Sequence, residues 1–95
     1  MRGTWDDRKA RANLAKHRVS FELAEIALGD ANALTVADDD EDGDRWRTLC
    51  SVVTAILFVV HTWPVDTDDG DEEGRIISAR KETARERDRY GQLGR

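Results

Sequence analysis

Cysteine is almost missing from this chain: Cys50 is alone among 95 residues, so no internal disulfide can form. No cysteine or histidine spacing resembles a zinc site. Cys50 lies inside an apolar run and reads as a small core residue rather than a nucleophile. Long apolar runs are missing too. The longest mostly apolar stretch, Leu49 to Val60, is short of the roughly 20 residues that span a bilayer and contains Ser51 and Thr54. The chain opens on Trp5, Asp6 and Asp7 rather than on a basic segment followed by an apolar one, so no secretory signal is expected. These absences point to a soluble cytoplasmic protein with no membrane association. Repeats are absent as well, and the only low-complexity stretches are acidic.

What is present is charge. Apolar residues make up 39% and charged residues 37% of the chain, a globular but charge-rich composition. The length suits one domain over residues 1–95, with a modest core and a net stability of about 5 kcal/mol. A partner subunit would add to that. The net charge of −5 is unevenly spread: +4 over residues 1–20, −13 over 21–74 and +4 over 75–95. Most of the acid falls in two runs, Asp38–Asp44 and Asp66–Glu73, which read as solvated loops. If the two chain ends meet in space, the fold carries a basic face despite its acidic total. That total counts against simple, unassisted nucleic-acid binding.

Thr4, followed by Trp5, Asp6 and Asp7, reads as a capped helix start, with acids at the positive end of the dipole. This helix runs to about Lys16, and His17-Arg18-Val19 is a connector. Ser20 caps a second helix, Phe21 to Leu28, closed by Gly29; Phe21, Ala24 and Leu28 share a face. The period then changes. Ala33 to Val36, Arg45 to Val53, Ile56 to Thr62 and Arg75 to Arg80 read as strands. In the second of these, Arg45, Arg47, Leu49, Ser51 and Val53 share one face, and Trp46, Thr48, Cys50 and Val52 the other. Thr54-Ala55 is a poor hairpin turn, offering no Gly or Asn for positive φ, and a helix through the run stays open. Pro64 and the second acidic run form a loop, and Lys81 to Tyr90 reads as a terminal helix. The expected fold is α+β: two N-terminal helices, a four-stranded mainly antiparallel sheet and a C-terminal helix.

Two segments carry a family resemblance. One contains Trp5-Asp6, Lys9, Asn13, Lys16 and His17, then Val19-Ser20-Phe21-Glu22 and Ala24. The other is Arg75-Ile76-Ile77-Ser78-Ala79-Arg80-Lys81, followed by Thr83, Arg85-Glu86-Arg87 and Tyr90. Between them, Arg45-Trp46 and Val59-Val60-His61-Thr62 fit the same pattern. In these residues the chain resembles the BrnT family of bacterial toxins. The resemblance implies a RelE-like fold and a metal-independent ribonuclease that cuts RNA and stops translation. It also implies neutralisation by a BrnA-like antitoxin with a ribbon-helix-helix DNA-binding domain, as a heterotetramer. Arg18 stands where the family usually has Gly after the His, Thr54-Ala55 lacks the glycines common at that turn, and the acidic insertions are long.

Metal-free RNA cleavage needs a base for the 2′-hydroxyl, a charge stabiliser for the phosphorane and an acid for the leaving oxygen. No cofactor is required. Arg80 is the first candidate, because a guanidinium contacts phosphate in a bidentate manner. Lys81 and Arg85, four apart, would share a helix face beside it, and Arg45 or Arg47 would complete a phosphate clamp. Arg75 adds a further basic contact. Arg87 and Arg89 read as solvated helix surface. His61, near a strand end, is a candidate acid–base group because it titrates near neutrality. His17 follows a helix C-terminus and reads first as fixing the connector; with Lys16 it is also carried as an RNA contact. Trp5 and Trp46 are assigned to the core, Tyr90 to packing, and Asn13 and Lys9 to tying helix ends together.

Two rivals stand against the toxin ribonuclease. A non-catalytic binding module would keep the fold but only bind an antitoxin in operon regulation; the acidic composition favours it, while the intact Arg80-Lys81 motif favours the enzyme. A metal-dependent nuclease would need the acidic runs to form a metal cluster, and they lack partnering histidines.

Overall fold

Helix formation starts where Asp6, in extended geometry, turns its carboxylate onto the open amides of the first turn. It accepts from Arg8 N at 2.8 Å and from Lys9 N at 3.4 Å. The computed structural model describes residues 2–37, 44–53, 55–68 and 70–82. Helix α1 covers Asp7–His17, with Asp7 in its first turn and Lys16 and His17 in its last, each sign placed where the helix dipole favours it. The cap is therefore Asp6 and not Thr4. Helix α2 covers Phe21–Ala27, and Ser20 caps it as expected by accepting from Leu23 N at 3.1 Å.

Six strands accompany these helices among the described residues: β1 (Arg2–Thr4), β2 (Leu34–Ala37), β3 (Trp46–Val52), β4 (Ala55–His61), β5 (Val65–Asp66) and β6 (Glu72–Lys81). They form one mixed sheet in the order β1-β6-β4-β3-β2, with β5 also paired to β6. Only β1 runs parallel to its neighbour. The expected layout of four strands, two N-terminal helices and a C-terminal helix is corrected on this evidence. Thr4 belongs to β1, where it pairs with Arg75, so the first segment is a strand and not a helix lead. Val65-Asp66, read as acidic loop, pairs with Glu73 and Glu72. The expected terminal helix began at Lys81, yet Lys81 is the last residue of β6, opposite Leu57. Its remainder, from residue 83, lies outside the described residues. No helix among the described residues is long and apolar enough to cross a membrane.

The register of β4 on β6 contains a bulge. Val60 faces Ser78 but His61 faces Ile76, so Ile77 is an extra residue on β6. The core lies between the helices and one face of the sheet. Val19, Phe21, Ala24 and Ala27 meet Cys50, Leu57, Val59, Ile76 and Ala79, all buried. Trp5 closes one side, its ring set edge-on to Phe21 at 6.0 Å. Burial pushes the Cys50 thiol up to about 12, with Asp30 adding to the shift, so it is an inert core group as the apolar run implied.

Helix α1 reaches this core through a polar side chain. Asn13 is its buried residue. The amide Nδ2 donates to Val19 O at 3.0 Å and to Ala79 O at 2.7 Å, and Oδ1 accepts from Ala79 N at 3.1 Å. Asn13 thus completes the backbone pairing of β6 and fixes the connector between the helices. Asn13→Leu, which keeps the volume, strands one buried N–H and two carbonyls. Urea unfolding should show a loss of about 3 kcal/mol or more.

Two non-glycine residues adopt the left-handed region, Arg18 at φ 60° and Val53 at φ 53°. Arg18 ends α1 by donating its N–H to Leu14 O at 2.9 Å, a cap for which glycine is best suited. This is the position where glycine is usual in the resembling family. Val53 opens the tight connection between β3 and β4, which pair out to Val52 and Ala55. The Leu49–Val60 run is thus a hairpin rather than a helix. A β-branched residue at positive φ is costly, and Val53 is 95% exposed, so packing returns nothing. Val53→Asn and Arg18→Gly should each raise stability by about 1 kcal/mol, seen as a thermal midpoint higher by roughly 4–8 °C.

Candidate functional site

Because strand residues alternate between faces, the central strands β3, β4 and β6 divide their side chains into two sets. Cys50, Leu57, Val59 and Ala79 meet the helices. The opposite face carries the cross-strand rows Leu34–Leu49–Phe58–Arg80 and Val36–Arg47–Val60–Ser78. No described helix packs on this second face. Its apolar residues are only half-buried apart from Leu49, and two arginines stand among them.

Arg80 is the best-fixed of these cations. Its guanidinium carbon lies 4.3 Å from the centroid of the Phe58 ring, directly across the strand pair. Nη1 also donates to Lys81 O at 3.2 Å. Stacking of this kind stabilises by about 0.5–1 kcal/mol and limits the rotamers of a long side chain. Arg47, in the next row, sits two strands away; strand spacing and rise put the two Cα atoms roughly 12 Å apart. Two extended arginines can therefore reach one phosphate from opposite sides. Arg47 Nη2 also points toward Ala37 O at 3.5 Å. Arg45 lies just before β3, two residues ahead of Arg47.

The other predicted residues do not join this group. Lys81 follows Arg80 on the same strand, so it takes the opposite face, level with Leu57. The shared helix face drawn for Lys81 and Arg85 does not exist at Lys81, and Arg85 lies outside the described residues. Arg75 is exposed but five residues back along β6, about 16 Å from Arg80. Its backbone is bonded to Thr62, with Arg75 N donating to Thr62 Oγ1 at 2.9 Å. Lys16 and His17 end α1, on the helix side of the sheet, with Lys16 exposed and His17 half-buried.

His61 is also on the helix side, buried, within a chain of hydroxyls. Its Nδ1 lies 2.7 Å from Thr62 O, so that nitrogen carries the proton and donates. Nε2 must then accept from Thr48 Oγ1 at 2.6 Å, and Thr48 in turn accepts from Thr35 Oγ1 at 2.7 Å. Burial holds the imidazole below its ordinary value, against the opposing pull of the Thr62 bond and the more distant Asp44. His61 is a neutral, fully bonded ring and not a side chain facing the arginines. Around it lies a cavity of about 270 Å3 lined by Thr35, Thr48, His61, Trp63 and Glu72, among others. Sequence reading missed Thr35, Thr48, Trp63 and Glu72. They come from three separate strands and a loop, so only the register unites them.

Among the described residues, no three His, Cys, Asp or Glu side chains gather where they could hold a metal ion.

Residues 5–86 match the family model described as ribonuclease toxin, BrnT, of type II toxin-antitoxin system. The match spans most of the chain, and the protein belongs to this family. The family's members are ribonuclease toxins, and a type II system pairs such a toxin with an antitoxin. No curated protein matches the chain.

The buried histidine makes a pH prediction. A folded-state pKa below the unfolded value of about 6.5 means that the unfolded chain takes up the proton first. Its contribution to stability is present above pH 6.5 and is lost as pH falls below it. The thermal midpoint should drop between pH 7 and 5.5, and His61→Gln should flatten that slope.

Proposed function

We propose that this chain is the endoribonuclease of a type II pair, cutting RNA without a metal ion and so stopping translation. A BrnA-like ribbon-helix-helix antitoxin silences it in a heterotetramer. What supports this reading is the sheet face on which Arg80, braced by Phe58, stands opposite Arg47.

In this reading RNA lies across that face, with the scissile phosphate between the two guanidiniums. The 2′-hydroxyl gives its proton to water as its oxygen attacks phosphorus, the bond to the 5′-oxygen breaks, and that oxygen takes a proton from water, leaving a 2′,3′-cyclic phosphate and a 5′-hydroxyl. Charge builds on the non-bridging oxygens at the pentacovalent stage, where planar, always-charged donors bind best. Arg80 takes that role in this reading, with Arg47 and Arg45 holding flanking phosphates and Arg85 as a further cation later in the sequence. Lys81, on the other face, acts only through its longer-range field, as do Lys16 and His17. Arg75 holds the strand at the far end. His61 positions Thr48 and takes no proton from RNA. The antitoxin covers the half-buried apolar rows on the same face, which joins silencing to occlusion of the phosphate site.

Cleavage should persist in excess EDTA. Arg80→Ala should abolish growth arrest and lower the cleavage rate by about 100-fold or more, while unfolding free energy stays within about 1 kcal/mol of the parent. Arg80→Lys, which keeps charge but loses the planar fork, should also fail. Activity restored to an EDTA-treated sample by magnesium or manganese would overturn the metal-independent mechanism.

A further inference from the structure

The cavity beside His61 is not used in the reaction above, although its chemistry is well defined. Hydrogen-bond direction along the threonine chain decides what it offers. His61 Nδ1 donates to Thr62 O, which makes Nε2 an acceptor. Thr48 must give its proton to Nε2, so Thr35 must give its own to Thr48. The Thr35 oxygen is left with lone pairs only. The charged group among the lining residues is the Glu72 carboxylate, also an acceptor. Thr35 and Glu72 therefore accept and do not donate, and the indole N–H of Trp63 is the donor among the lining side chains.

The remaining wall is apolar: Leu28, Ala33, Pro64 and the indole of Trp63. Trp63 is 52% exposed, yet it is held in place: its ring lies 4.4 Å from that of Trp46, and its backbone N–H donates to Asp44 Oδ1 at 3.0 Å. A pre-positioned indole plane beside a cavity of about 270 Å3 suits one flat ring rather than a larger ligand. Cations stand nearby on the opposite face of the sheet. Arg75 is bonded through its backbone to Thr62, next to Trp63, and Arg45 and Arg47 adjoin Trp46.

We propose that this cavity is a subsite for one unpaired nucleobase bearing an amino group, stacked on Trp63 and read by Thr35 and Glu72. Cytosine and adenine present an exocyclic amino donor, and guanine presents two kinds of N–H donor. Uracil has a single N3–H flanked by two carbonyl oxygens and no amino group, so it can satisfy one acceptor only by setting a carbonyl against the other. The proposal rests on the ribonuclease reading, and it adds a base preference to it. The backbone would pass from Arg75 around the end of the sheet toward Arg47, leaving one base on the helix side and phosphates on the other. Single-stranded RNA is commonly recognised in this way, with bases splayed onto aromatic rings.

The test uses the full chain and short 2′-O-methylated oligo(C), oligo(A) and oligo(U), which bind but cannot be cut. Binding is followed by tryptophan quenching and by anisotropy. The parent should prefer oligo(C) and oligo(A) over oligo(U) by on the order of tenfold, and Trp63→Ala should weaken both by a similar factor. Glu72→Gln, which places a donor in the mouth, and Thr35→Val should erase the preference while oligo(U) binding holds. Trp63→Phe, which keeps a ring, should retain the preference and lose most of the quenching. Thermal melts establish that each variant is folded, and Trp63→Phe serves if the alanine variant is not. A parent that cuts RNA but binds all three oligonucleotides equally overturns the subsite and leaves the ribonuclease reading standing. A parent that neither binds nor cuts RNA overturns both.

Discussion

The side-chain amide of Asn13 holds the architecture in place. Helix α1 has little apolar surface to offer, and Leu14 is 47% exposed. Its attachment to the sheet runs through three hydrogen bonds from one amide, two of them to Ala79 on β6 and one to Val19 in the connector. In a buried setting such bonds are directional, and their loss leaves unsatisfied backbone groups. The consequence is positional. The helix is set at one height along β6, two residues from Lys81, and the connector is set so that Val19 and Phe21 enter the core. Apolar contacts alone would allow the helix to slide.

From that anchor the sheet's two faces take separate work. Apart from the cavity beside His61, the helix side is closed, with an inert thiol and a neutral histidine whose bonds are all made. The outer side is partly apolar and carries its cations on stacked or hydrogen-bonded supports. An RNA-cutting surface needs charge held in fixed directions, and a partner surface needs apolar area. In the proposed reading both demands fall on the same two rows of residues. The acidic total of the chain does not prevent this, because the negative runs lie in other stretches of sequence than these rows.

Much of this was legible in the sequence. Ser20 announced α2, and alternation placed β2, β3, β4 and the later part of β6 within a residue or two of their ends. Asn13 was read as tying helix ends together, and its bond to Val19 in the connector fits that, but its two bonds to Ala79 on β6 had no signal in the sequence. Other features had no usable signal. Strands β1 and β5 hold three and two residues, too few for any period to register. Asp6 and Thr4 are both good caps, and only the pairing of Thr4 with Arg75 decides between them. The basic cluster was misjudged at Lys81 for a simple reason. Neighbours in sequence act together at a helix start, but within a strand they part to opposite faces. The threonine chain to His61 was invisible, since Thr35, Thr48 and His61 are 13 residues apart in each step and meet only through register.

The bulge at Ile77 gives chain length a meaning that side-chain identity lacks. This extra residue sets the phase of the last four positions of β6 relative to the first five. With it, Ala79 meets the core and Arg80 meets Phe58. Were Ile77 kept but paired as an ordinary rung, the alternation downstream would invert: Lys81 would exchange faces with Arg80, and Ala79 would leave the core. Drift by substitution along this strand can be gradual. A residue gained or lost here must be met by a change in the bulge if the faces are to hold, so the count of residues between Gly74 and Arg80 decides whether the strand is bulged or regular.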